Sequence, residues 1–208
     1  MLPKKTHKDL EVLTFSTYRK WLNWLDQNFE QHQSIWLKLA KKTSGVQSIT
    51  YEEAREGAIV YGWIDGLINR FDERYYLIKF TPRRPKSNWS KINRGIAEQL
   101  IANKMMKPSG LAQVHAAQAD GRWEAAYDSS SSIEVPNELK KLLKTDSVAQ
   151  ENFNNLNQAN RYAFLYRIQN AKRETTKQKH ILRAFEMCRR GEVYHPATRS
   201  TKTIKKKK

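Results

Sequence analysis

The stretch ITYEEAREGAIVY, running straight into GWIDGLINRFDERYYLIKF, constrains the fold more than any other, because a helix start and a hairpin stand back to back in it. Thr50 precedes Glu53 by three residues, the spacing of a capping box in which the two residues satisfy each other's orphan backbone donors. A helix over about 51–61 is predicted. Behind it the period changes. Trp63 to Phe71 runs outward, Asp72 and Glu73 turn the chain, and Tyr75 to Thr81 returns with Tyr76, Ile78 and Phe80 on one face. Upstream, in SIWLKLAKK, Ile35, Leu37 and Leu39 alternate with Trp36, Lys38 and Ala40 as a half-buried strand does. STYRKWLNWLDQNF sets Tyr18, Trp21, Leu22 and Leu25 at helical spacing. Three strands and two helices in this order predict an α+β unit built on a small antiparallel sheet.

Past residue 90 the period-two signal gives way to a helical one. Ile92, Ile96, Leu100 and Ile101 define one helix, and Pro108 opens a second with Leu111 and Val114. The Ser-rich run DSSSSIEVP marks a boundary and closes on Pro136, a residue suited to a first helical turn. Helices are then predicted over 136–144, 146–155, 158–171 and 174–190, the last ending in Arg189, Arg190 and Gly191 as a dipole-matched, left-handed cap requires. The expected organisation is a flexible basic N-terminus (1–9), an α+β domain (10–128), a helical C-terminal subdomain (129–196) and a disordered Lys-rich tail (197–208).

Charge is spread unevenly. The 38 Lys and Arg against 21 Asp and Glu give a net +17 over 208 residues. Six of those excess charges stand in the last twelve residues, ATRSTKTIKKKK, and two more in the first nine, which leaves about nine for the folded part. Such a balance favours an anionic partner, with Lys205, Lys206, Lys207 and Lys208 as a non-specific electrostatic arm on nucleic acid. Cys188 is the only cysteine, which excludes an intramolecular disulfide and a cysteine-based zinc site and points to a reducing compartment. No apolar run suits a signal peptide or a membrane span, so cytoplasmic residence is the expectation.

In order along the chain stand SIWLKLAKK, ITYEEA, YGWIDG, FTPRRPKSNWSKIN, MKPSGL, GRWEAAYD and NAKRETTKQKHILRAFEMCRRGE. This succession, over residues 10–195, resembles the bacterial YdeI/OmpD-associated, or bacteriocin-protection, family. The resemblance implies a YjbR/CyaY-like α+β part, a helical C-terminal part, and a role in tolerance of bacteriocins or antimicrobial peptides. It implies no catalytic residue and no cofactor. Around ETTKQK, where Arg-rich text is usual in that family, Lys177 and Lys179 keep the charge but lack the planar fork that grips carboxylate or phosphate bidentately.

FTPRRPKSNWSKIN is the candidate ligand-binding stretch. Pro82 and Pro85 stiffen the link, Ser87 or Ser90 can cap the next helix, and Arg83, Arg84 and Lys86, with Asn93, surround its donor-rich N-terminus. Alternatively the arginines pair with Asp65, Asp72 or Glu73, and Trp89 is core. In GWIDG, Trp63 and Asp65 sit at a helix-to-strand junction, where Asp65 is a general base, an orienter of arginine, or simply a turn residue. The last helix carries Lys177, Lys179 and Arg183, which can lie on a phosphate backbone or form a solvated face. Its apolar stripe of Ile181, Leu182 and Phe185 takes in Cys188 as a core thiol.

His7, His32, His115, His180 and His195 lack metal-site spacing, and HExxH, GxSxG, P-loop and GxGxxG motifs are missing from the sequence. No metal and no cofactor is therefore expected. An anion-binding protein is the preferred expectation. An enzyme acting on an acidic small molecule near Asp65 and Arg83/Arg84, and a protein–protein interaction module, are the alternatives.

Overall fold

The computed structural model describes residues 6–8 and 10–196. The expected Lys-rich tail at 197–208, and most of the expected flexible N-terminus, lie outside the described residues. The chain divides into two compact units, one up to Ala126 and one from Tyr127 onward.

The first unit is mixed α+β, as the period change at residue 62 predicts. Strands β1 (Thr6–His7), β2 (Leu10–Leu13), β3 (Ile35–Ala40), β4 (Trp63–Arg70) and β5 (Tyr75–Pro82) form one sheet in the order β1-β2-β3-β5-β4. The hairpin β4–β5 and the β3–β5 pair are antiparallel, whereas β2 and β3 run parallel, with Val12 beside Trp36. The sheet is therefore larger than the three-stranded antiparallel one expected. Four residues, LEVL, are too few to display an alternating pattern. The helix α1 (Tyr18–Asn28) lies between β2 and β3 and makes the crossover that a parallel pair needs.

Ile35, Leu37 and Leu39 of β3, with Ile78 and Phe80 of β5, point into the core beside Trp21 and Leu25 of α1. Helix α2 (Tyr51–Val60) begins with the capping box: Thr50 Oγ1 accepts from the Glu53 amide at 3.1 Å, and Glu53 Oε2 from the Thr50 amide at 2.8 Å. Trp21 Nε1 donates to the Ala54 carbonyl at 3.0 Å, so its polar edge is satisfied inside the core. Helices α3 (Lys91–Ala102) and α4 (Pro108–Ala119) complete the unit. Where α4 meets the end of α2, Gly110 is so close to the backbone that a Cβ would stand 2.3 Å from the Val60 carbonyl oxygen. At the free edge of the sheet, Gly66 accompanies a register shift between Asp65 and Ile68, and Leu67 and Ile68 are exposed there.

The second unit is helical: α5 (Asn137–Leu143), α6 (Ser147–Asn154), α7 (Gln158–Gln169) and α8 (Glu174–Arg189). Asp146 and Asn157 cap α6 and α7, each accepting the amide three residues on at 2.9 Å. Gly191, at φ 67°, ends α8, and the Glu192 amide reaches back to the Met187 carbonyl at 2.8 Å, a Schellman closure. The core joins Leu139, Leu143, Phe153, Phe164, Ile168, Ile181 and Phe185. Cys188 belongs to it, but Leu182 is 55 % exposed, contrary to the expected stripe. Leu182 stands about 100° around the helix from Ile181, and here that turns it out of the buried arc, whereas Ala184 with Phe185 and Met187 with Cys188 stay within it. Among the described residues no helix is long and apolar enough to cross a membrane.

Candidate functional site

The link between β5 and α3 folds as a tight turn. The Ser87 amide donates to the Arg84 carbonyl at 3.0 Å around Pro85 and Lys86, and Lys86 holds φ at 65°. Proline second and a positive φ third is the pattern of a type II turn, whose third position glycine would occupy at lower cost. Ser90, not Ser87, caps the helix: its Oγ accepts from the Asn93 amide at 3.1 Å.

The turn is pinned on both flanks. Before it, the Arg83 amide donates to the Gly62 carbonyl at 3.0 Å, tying β5 to the start of β4. The Arg83 guanidinium lies 3.5 Å from the centroid of Trp89, and Nη1 donates to the Asn88 carbonyl at 3.2 Å. Arg83 is only 5 % exposed. A desolvated guanidinium on an indole face is worth about 2 kcal/mol, so this arginine braces the link. After the turn, Arg122 Nη1 donates to the Ser87 carbonyl at 2.5 Å, while its Nε lies 2.8 Å from Asp120. Trp123 meets Trp89 edge-on at 4.9 Å, and Arg94 reaches from α3 to the Trp123 carbonyl and to Glu98 and Glu124. Arg94, Arg122 and Trp123 were not foreseen as parts of this site. GRWEAAYD is visible in the sequence, but its contact across 35 residues of chain leaves no local signal.

What this bracing leaves outward is Arg84 and Lys86, both exposed and, among the described residues, without an ion pair. Asn93 is buried at the third helical position, and Trp63, 1 % exposed, is a core residue whose Nε1 donates to the Phe29 carbonyl at 3.2 Å. As placed, neither can meet a ligand at the surface. Asp65 Oδ2 accepts from the Tyr51 hydroxyl at 2.6 Å. Burial, and then Asp65 itself, push the Tyr51 phenol well above its ordinary pKa, so it stays a donor to the carboxylate. The Arg55 guanidinium covers the same ring at 5.0 Å. Asp65 thus serves an internal network joining β4 to α2.

On α8, Lys177 lies 3.6 Å from Glu138 and 3.8 Å from Glu174, Arg189 pairs with Asp146 and Glu186, and Arg190 with Glu186 and Glu192. Arg183 lies in the field of Glu192, whose carboxyl it helps hold down, and among the described residues Lys179 has no ion pair. The Arg183 guanidinium stands 6.0 Å from the Tyr194 ring, which Arg167 covers at 3.9 Å. Of the three residues that marked this helix as a nucleic-acid face, Lys177 alone is in an ion pair among the described residues. Lys205–Lys208 lie outside the described residues. Among the described residues no group of three His, Cys, Asp or Glu side chains is placed to hold a metal.

Fold and site together define a two-unit chain, an α+β unit with a braced cationic turn and a four-helix unit. Residues 132–191, in the helical unit, match the model of the family described as bacteriocin-protection, YdeI or OmpD-associated. Residues 13–113 match a different model, a domain of unknown function (DUF8412). ITYEEA, YGWIDG and FTPRRPKSNWSKIN accordingly fall under that second description, which narrows the resemblance first drawn along residues 10–195. No curated protein and no solved structure matches the chain.

Proposed function

We propose that the chain is a cytoplasmic protein that binds an anionic partner through Arg84 and Lys86 and acts in tolerance of bacteriocins or antimicrobial peptides. The observation that carries the binding reading is the division of labour along one short link: Arg83 is buried as a brace, while Arg84 and Lys86 stand exposed on the turn it holds, with no ion pair among the described residues. Two cations on a braced stretch of backbone offer a phosphate or carboxylate charge-assisted hydrogen bonds, with the ordering cost confined to their own side chains. Tolerance is supported by the family description of residues 132–191 alone. Chemistry between Asp65 and the arginines is the weaker reading, since Asp65 is engaged by Tyr51 and Arg83 by Trp89.

In the host, loss of the gene lowers tolerance of a bacteriocin, and an allele carrying R84Q and K86Q, expressed and folded as wild type, fails to restore it. Full restoration by that allele would separate tolerance from the cationic turn. Inorganic phosphate, added to the purified protein, saturably shifts amide resonances between residues 84 and 94. Shifts confined to other regions refute the site.

A further inference from the structure

We infer that the helical unit holds a second, separate binding site, for a small amphipathic anion: a carboxylate carrying a compact apolar body. A cavity of about 230 Å³ opens among α5, α6 and α7. Its walls divide by chemistry. Val135, Leu143 and Phe153 supply an apolar floor, and Lys140, Lys144 and Arg161 stand around it. Among the described residues none of the three cations has an ion pair, and no acid lines the cavity. Lys177, Arg189 and Arg190 of the same unit are, by contrast, all paired with Asp or Glu. Arg161 places its guanidinium 4.7 Å over the Phe153 ring, so one cation is fixed at the edge of the apolar floor. The remaining polar lining, Gln150 and Asn154, is neutral and can donate to the same head group.

Size and charge select the ligand. A cavity below the usual 300–1,000 Å³ of drug-sized sites takes a body of roughly one ring or one branched side chain. Three uncompensated cations at the rim of an apolar floor favour an anionic head over a neutral one, and the floor favours an apolar body over a bare inorganic anion. Nothing in this assignment depends on Arg84 or Lys86, which lie in the other unit.

The test is a titration of the full chain with 3-phenylpropanoate, followed by amide NMR, beside its neutral amide and acetate as probes. The carboxylate shifts resonances of residues 135, 143 and 153 saturably, and the amide and acetate each bind about tenfold more weakly or not at all. The K140Q/K144Q variant, which alters exposed side chains only, weakens carboxylate binding about tenfold, as does R161Q. K141Q, on the neighbouring groove with Leu142 and Leu182, leaves it unchanged. Equal binding of the carboxylate and its amide would reduce the site to an apolar dent. A K141Q loss matching that of K140Q/K144Q would reduce it to the general field of the surface. Shifts outside the cavity, or none, would also overturn the assignment.

Discussion

Arg83 and Arg84 are adjacent and chemically identical, yet their surroundings give them opposite tasks. Replacing Arg83 by glutamine removes a buried guanidinium from an indole face and leaves the Trp89 side of the link uncovered; we expect a loss of roughly 2 kcal/mol or more in denaturant unfolding. Replacing Arg84 changes stability by less than about 0.5 kcal/mol. Equal, small effects at both positions would show that Arg83 is no brace. The sequence made the prolines of the link legible, and narrowed its helix cap to Ser87 or Ser90, of which Ser90 is the one used. It could not say which arginine is inside, because burial here depends on Trp89 being packed against Trp123 from another part of the chain. Cys188 was legible, since its company at helical spacing is apolar. Burial pushes its thiol up to about 11, so little thiolate exists at neutral pH. A thiol reagent should label it slowly in the native protein and fast in denaturant; stoichiometric labelling within seconds in the native state would contradict that packing.

At the scale of elements, α1, α2 and α4 are joined at one point. Asp26 Oδ1 accepts from Lys107 Nζ and from the Tyr61 hydroxyl, each at 2.9 Å, and these bonds, Lys107 first, hold the Asp26 carboxyl below its ordinary value of 3.8. A depressed carboxyl contributes stability above its unfolded pKa and loses it as pH falls through the lower folded value. The melting temperature of wild type should therefore exceed that of D26N at pH 7 by a small margin, both groups being exposed, and the margin should close below pH 3.8. A margin independent of pH would assign it to packing instead. Gly110 fixes the same corner sterically: a Cβ there meets the Val60 and Ile59 carbonyl oxygens as well as the more yielding Met106 side chain, so G110A should cost roughly 3 kcal/mol, measurable as a shifted denaturant midpoint. Most helices were legible because caps and breakers are local, as Thr50, Asn157 and Gly191 show. The β2–β3 pairing was not, because a four-residue strand acquires its identity only from the neighbour it meets.

For the whole molecule, net charge is a poor guide to where binding occurs. Within residues 127–196, twelve Lys and Arg face eight Asp and Glu, and much of that charge on α8 is paired. Nucleic-acid affinity is accordingly expected to follow the last twelve residues. Deleting 197–208 should weaken binding to a duplex oligonucleotide and flatten its salt dependence, since each phosphate contact contributes a slope of about −0.9. Unchanged affinity and slope would move that binding onto the folded units. The central claim is that Arg84 and Lys86 recognise an anion while Arg83 only holds the turn, and thermal unfolding with and without sulfate tests it most directly. With R84Q/K86Q we predict an unchanged melting temperature in the absence of sulfate and loss of the increment that sulfate gives wild type. With R83Q the melting temperature falls and the increment remains. A full sulfate increment in R84Q/K86Q would contradict the account.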